Sequence, residues 1–429
     1  MRLDRIFLLV IITVVALLLS CGGGGGGGGS SSGSTTTTTT TVTTTTSTTT
    51  STPPAANVLS VTVNGSQCDS SINDGYFNDP CVSVTVCTPN SSTCQAINGI
   101  LLDTGSYGLR IFKQKLTNVT LSQVLSGSGS LAECVSYADG SASWGPVQTA
   151  SIILGGEPAV QVPVQVIDYT FPTVAIASSV CPNSDKMPVV AGYNGILGIG
   201  PFVYDCGPLC AASTVPGQYF SCTGTACKGT TVPLSGQVTN PVALLPVDNN
   251  GVVIQLPGVP AGGVPSVSGA VVFGIGTQQN NVPSGVTTYS VDPNNEFTTI
   301  FNGIKLSNSF IDTGSNALFF PQPASGAYAG LLPDCGSVNS GFFCPSSTTN
   351  FSATITGASG SPTNPISFQV GNFDSLIMNA SNNVFDDVGG QIGGVSGFDW
   401  GLPFYLGRNV FVGIDGLKSS LGSGPYFAY

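Results

Sequence analysis

Histidine is absent from all 429 residues. A Ser-His-Asp triad, a Cys-His nucleophile and a His-ligated zinc or iron centre are therefore excluded. Any acid–base chemistry falls to carboxylates, Lys, Tyr or Cys. Charge is scarce as well: Asp, Glu, Lys and Arg together make up 7% of the chain, only three residues are Glu, and the net charge is −11. The acidity is scattered singly through loops. No Lys/Arg cluster exists that could neutralise a phosphate backbone, which argues against nucleic acid as a partner. Long amphipathic helical patterns are nearly missing. In their place, 57 Gly and 29 Pro punctuate runs rich in Val, Thr, Ile and Ser. That pattern predicts many short strands joined by turns. The length suffices for two ordinary lobes or one large all-β unit.

The N-terminus reads separately from the rest. Arg2 and Arg5 precede an apolar run from Ile6 to Leu19, then Ser20-Cys21. The run is short and N-terminal, as in a signal peptide covering residues 1–21. Leu18-Leu19-Ser20-Cys21 resembles a bacterial lipobox, which implies cleavage before Cys21 and a lipid on its sulfur. Gly22, rather than Asp, follows, and this resembles the sorting pattern of outer-membrane lipoproteins. The expected location is the bacterial cell envelope, with the membrane as a partner through that lipid. Residues 22–56 are a Gly tract and then a Ser/Thr tract ending at Pro53-Pro54. Such a stretch has no apolar surface to bury and predicts a tether. Its average reach is about 30 Å.

Cysteine number carries information. Thirteen is odd, and removing Cys21 leaves twelve, which can pair completely. That count fits an exported, oxidising location. Twelve cysteines allow on the order of ten thousand connectivities, so spacing only suggests partners. Cys87/Cys94, Cys206/Cys210, Cys222/Cys227 and Cys335/Cys344 are close enough to staple local loops. Cys68/Cys81 is a plausible pair, and Cys134/Cys181 is what remains. Clustered Cys-x2-Cys pairs, which a metal site would need, do not occur.

From Asn57 onward the chain reads as strands. Val58–Val63 alternates. Cys81–Cys87 alternates, breaks at Thr88–Ser92 and resumes at Cys94, which predicts a hairpin whose second strand delivers Asp103. The Gly/Pro-rich stretch around 250–265 is the expected joint between an N-terminal lobe (57–249) and a C-terminal lobe (250–429).

The tetrapeptide Asp-Thr-Gly-Ser occurs twice, at 103–106 and at 312–315, each time behind an apolar run. One copy is ordinary turn chemistry. Two copies, one per half, place a pair of carboxylates where they can share a proton and activate a water. Further elements accompany them. Tyr193–Gly200 and Phe404–Phe411 each carry two apolar residues and a Gly, and they resemble the strand that threads beside each Asp loop in two-lobed aspartic peptidases. Val135–Ser141 carries Tyr137 in a hairpin-like stretch between the first loop and its threading element. Ala270–Gly276 reads as a strand opening the second half.

In this order the elements resemble the pepsin family of two-lobed aspartic peptidases, over residues 57–429. The resemblance implies an all-β, bilobal pepsin-like acid protease fold with a cleft between its lobes, a monomer, a polypeptide substrate, and neither metal nor cofactor. It implies Asp103 and Asp312 as the catalytic pair. Thr104 and Thr313 match the family's cross-lobe hydroxyl grip. Gly105 and Gly314 bring amide N–H groups to the carboxylates, and Ser106 and Ser315 bond their outer oxygens. Tyr137 matches the flap tyrosine that closes over substrate, whereas Trp144 reads as packing. One departure stands out: Arg110 occupies the place of the Trp that supports the flap tyrosine. A fixed cation there is expected to face solvent; facing inward, it could hold a carboxylate ionised. Two other readings compete with an endopeptidase. One is a non-catalytic module of this fold that binds a peptide, a glycan or an envelope protein. The other is a structural surface lipoprotein.

Overall fold

The computed structural model describes residues 55–72, 76–336, 338–392 and 396–429. The expected signal peptide, Cys21 and the tether up to Pro54 lie outside these residues. Ala55 and Ala56, assigned to the tether by composition, are already bonded into the body. The Val58 N–H donates to Ala55 O at 3.1 Å, and the Gly156 N–H donates to Ala56 O at 2.8 Å.

Strand makes up 41% of the described residues and helix 10%, so the all-β expectation holds. The predicted hairpin is present: Pro80–Cys87 runs antiparallel to Cys94–Asp103, with Cys87 opposite Cys94. The alternation that marked it is explained by burial, since Val82, Val84 and Val86 all point into the core. Asp103 is the last residue of the second strand. The chain turns through Thr104–Ser106 into the strand Tyr107–Phe112. Between these two strands runs Gly195–Ile199, parallel to the first (Gly195↔Ile100 through Gly198↔Asp103) and antiparallel to the second (Ile199↔Tyr107). The first threading element is thus where the sequence placed it.

The second half repeats the arrangement with a different segment from the one expected. Ile304–Ile311 delivers Asp312, and the strand threaded beside it is Asp399–Trp400. This strand is parallel to the first (Phe310↔Asp399, Ile311↔Trp400) and antiparallel to Leu318–Phe320. Phe404–Phe411 does not thread. Its last residues begin the strand Asn409–Gly413, which pairs with Gly251–Gln255 and Tyr426–Ala428. The choice is explained by packing. Trp400 stacks on Phe398 at 4.0 Å between centroids, and Phe398 on Phe320 at 4.6 Å. This aromatic column fills the core beneath the second loop.

A run of antiparallel pairings joins both ends of the sequence. Val58–Val63 pairs with Val267–Phe273, and Val267–Phe273 with Gly251–Gln255. Gly251–Gln255 pairs with Asn409–Gly413, then Tyr426–Ala428 and Thr288–Ser290 follow. The stretch read as an inter-lobe joint therefore carries a strand in the middle of this sheet.

All six suggested disulfides form: Cys68–Cys81, Cys87–Cys94, Cys134–Cys181, Cys206–Cys210, Cys222–Cys227 and Cys335–Cys344. The Cys134–Cys181 bridge spans 47 residues, the longest separation of the six. It ties the hairpin that carries Tyr137 to the short helix Val174–Val180. Replacing both cysteines with Ser is expected to lower the stability of the folded state by about 4 kcal/mol, from the loop-closure entropy restored to the unfolded chain. A denaturant midpoint unchanged from the parent protein would contradict this.

Candidate active site

The two Asp-Thr-Gly-Ser loops meet. Each is held by its own backbone and by the other. The Gly105 N–H donates to Asp103 Oδ1 at 2.7 Å and to Asp312 Oδ1 at 3.1 Å. The Gly314 N–H donates to Asp312 Oδ1 at 2.7 Å. On the outer oxygens, Ser106 Oγ donates to Asp103 Oδ2 at 2.6 Å and Ser315 Oγ to Asp312 Oδ2 at 2.9 Å. The two Oδ1 atoms thus share the Gly105 N–H. The glycines are required by space: a Cβ on Gly105 would stand 2.7 Å from Asp312 Cγ, and one on Gly314 would stand 3.1 Å from Asp103 Cγ.

Beneath the carboxylates the threonines form a reciprocal pair. The Thr104 N–H donates to Thr313 Oγ1 and the Thr313 N–H to Thr104 Oγ1, both at 3.1 Å. Each hydroxyl also reaches the opposite strand, with Thr313 Oγ1 donating to Leu102 O at 2.7 Å and Thr104 Oγ1 to Ile311 O at 3.3 Å. Both threonines are fully buried. The Tyr405 hydroxyl lies 2.7 Å from Thr104 Oγ1. Sequence reasoning placed Tyr405 in the threading segment; its role is to close this buried network.

Tyr137 sits at the tip of the hairpin formed by Gly129–Ser136 and Ala142–Ile153. The turn is closed by the Tyr137 N–H to Ser141 O at 2.9 Å. Its ring packs against a small cluster that includes Leu101, Phe112 and Tyr193, and its hydroxyl is 3.0 Å from Ser143 Oγ. Asp103, Asp312 and Tyr137 all line one cavity of about 530 Å³. Trp144 is buried, as expected of packing, and its Nε1–H donates to Phe171 O at 2.5 Å.

Arg110 corrects the expectation. It does not face solvent; its exposure is 1%. Its Nη2 contacts Glu133 Oε1 at 3.1 Å and Asp205 Oδ2 at 3.0 Å, and Nη1 donates to Tyr107 O at 2.7 Å. A buried guanidinium is tolerated because two buried carboxylates face it. The acids it holds are Glu133 and Asp205 rather than the Asp103–Asp312 pair. The residue types gave no hint of this, because Glu133 lies 23 residues away and Asp205 lies 95.

A third carboxyl near the pair was also missed. Asp399 is buried on the threaded strand. Burial pushes its carboxyl well above the ordinary value, and the charge of Asp312 adds to this. The signal was present as a polar residue inside an apolar-apolar-Gly pattern. Asp103 behaves similarly: burial first, then the neighbouring Asp312, raise it well above 3.8. One carboxyl of the pair therefore holds a proton at pH values where a free Asp has lost it.

The chain belongs to the family described as "Protein of unknown function (DUF3443)", whose model matches residues 53–429. No curated protein sequence matches it.

The raised carboxyl has a thermodynamic consequence. Asp103 keeps its proton in the folded state at pH values where the unfolded chain, near 3.8, releases it. Its contribution to stability is whole below about pH 4 and is lost as pH rises toward the raised value. Asp103→Asn removes this titration. Unfolding free energy between pH 4 and 7 should then fall less steeply than in the parent, by up to about 1.4 kcal/mol per pH unit. Parallel curves for the two proteins would show that the pair shares no proton.

Proposed function

We propose that the protein is an aspartic endopeptidase of the two-lobed, pepsin-like kind, carried on the cell envelope by a lipid on Cys21. The observation that carries this reading is the pair of carboxyls joined through Gly105 N–H, one of them drawn to its protonated form. The reciprocal Thr104–Thr313 bonds, the strand threaded beside each Asp loop and the Tyr137 hairpin over the same cavity all support it.

The chemistry follows from the pair. The ionised carboxylate takes a proton from a water held between the two. The water oxygen bonds to the scissile carbonyl carbon. The proton on the other carboxyl passes to the carbonyl oxygen, giving a tetrahedral diol. The C–N bond then breaks as a proton reaches the leaving nitrogen. Ser106 and Ser315 hold the outer oxygens, and the Gly105 and Gly314 N–H groups hold the inner ones, so both carboxyl planes stay fixed while protons move.

The competing reading is a binding module of the same fold. It is disfavoured by the two intact carboxyls, because a binder gains nothing from burying a pair that repels when ionised. The test is incubation of the purified, oxidised full-length chain with a denatured protein mixture from pH 3 to pH 7. Cleavage at acid pH is expected, and Asp103→Asn and Asp312→Asn should each lower it at least about a thousandfold. A folded protein that cleaves nothing across this range would transfer the assignment to the binding module.

A further inference from the structure

The wall of the cavity on the Tyr137 side is ionic. Arg110, Asp205 and Gln218 line it together with Tyr137. Behind them the network is continuous: Gln218 Nε2 donates to Glu133 Oε1 and to Asp205 Oδ2, both at 3.0 Å, and the Tyr219 hydroxyl donates to Asp205 Oδ1 at 2.6 Å. Resting on the peptidase reading above, we propose that this wall is a specificity subsite for a lysine or arginine side chain of the polypeptide substrate.

Three observations carry it. The first is charge. Asp103, Asp139, Asp205, Glu296 and Asp312 line the cavity, and Arg110 is the only Lys or Arg among its lining residues. That guanidinium is turned inward, with Nη2 on Glu133 and Asp205 and Nη1 on Tyr107 O, so those donors are already engaged within the protein.

The second is the balance of donors and acceptors. Three buried atoms of this network lack a protein partner: Arg110 Nε, Gln165 Oε1 and Glu133 Oε2. Arg110 and Gln165 are register neighbours on adjacent parallel strands, one offering a donor and one an acceptor. Glu133 Oε2 has no such counterpart. The excess is therefore of acceptors, and it lies behind Asp205 and Gln218, which line the cavity in front of it.

The third is the exposed edge of the wall. Gln218 is partly exposed and spends its Nε2 on the network, which leaves its carbonyl oxygen as an acceptor at the cavity. An apolar side chain seated here would cover polar atoms without bonding them, and an acidic one would meet like charge. An ammonium or guanidinium meets the Gln218 carbonyl oxygen and the Asp205 carboxyl at this edge. The Trp expected at position 110 from the pepsin resemblance would have made this wall apolar, so the substitution sets the chemistry of the subsite.

The experiment is cleavage profiling of the full-length chain on synthetic peptides randomised on both sides of the scissile bond, read by mass spectrometry. Lys or Arg should be enriched at one position at least about tenfold over Leu and over Asp. Gln218→Leu, at a partly exposed position, and Asp205→Asn, which is isosteric, should each cut that enrichment several-fold, with folding checked by thermal melting. Enrichment of apolar residues, or a profile unchanged in Gln218→Leu, would overturn the subsite while leaving the peptidase reading intact. If nothing is cleaved, fluorescent lysine and leucine peptides of otherwise equal sequence are compared by anisotropy. Tighter binding of the lysine peptide, weakened in Gln218→Leu, upholds the subsite although hydrolysis fails; equal binding overturns it.

Discussion

The reciprocal hydrogen bonds between Thr104 and Thr313 are the constraint on which the site depends. Each backbone N–H at this depth must find an acceptor, because an unpaired buried amide costs about 1–3 kcal/mol. Neither loop supplies that acceptor itself. Each takes it from a side chain 209 residues away. The two halves of the sequence are thus held in register at the point where the carboxyls meet. The Asp pair inherits its spacing from the backbone beneath it rather than from flexible side chains. This is the kind of rigid support that proton transfer requires.

Close approach is the second half of the same constraint. Gly105 and Gly314 each stand against the other loop's carboxyl: a methyl group on Gly105 would force Asp312 to move, and one on Gly314 would press on Asp103 at 3.1 Å. The threaded strands press equally near. A Cβ on Gly198 would lie 2.6 Å from Tyr107 N, and one on Gly401 would lie 2.1 Å from Ala317 O. In both halves, a strand entering beside the Asp loop must bring a glycine to it. The repeated Asp-Thr-Gly-Ser and the glycine that follows each threaded element are therefore one design expressed twice.

That repetition made much of the molecule legible. The hairpin ending in Asp103 and the closely spaced disulfide pairs rest on local pattern: alternation, a turn sequence, a short spacing. The first threaded strand and the hairpin turn at Tyr137 were legible through the family resemblance, and Cys134–Cys181, 47 residues apart, was the pair left over. What the pattern missed depends on distant partners. Tyr405-Leu406-Gly407 is a better apolar-apolar-Gly match than Asp399-Trp400-Gly401, yet the latter threads because Trp400 completes a column with Phe398 and Phe320. A stack between residues some eighty positions apart leaves no trace in a local reading. Arg110 was misplaced for the same reason. A lone cation reads as solvated until Glu133 and Asp205 are brought to it by folding.

Arg110 also bears on why the site is more than scaffolding. Burying a guanidinium with two acids is seldom the most stable choice; packed apolar side chains of similar volume are often as good or better. The same holds for two carboxyls pressed together under a hydrogen-bonded floor, and for a third, Asp399, buried beside them. A fold maintained for stability alone would shed such groups. Here the ionisable residues whose protonation is most strongly displaced by burial and by one another include Asp103, Asp205 and Asp399. Asp103 and Asp205 line one cavity, and Asp399 pairs with Phe310 on the strand that delivers Asp312. Perturbed acids concentrated around a cleft, in a chain with so few charges to spend, make this cavity the candidate site for the proposed chemistry. The lack of histidine sharpens the point, because the proposed proton transfer would rest on carboxyls whose burial favours a proton that water would otherwise remove.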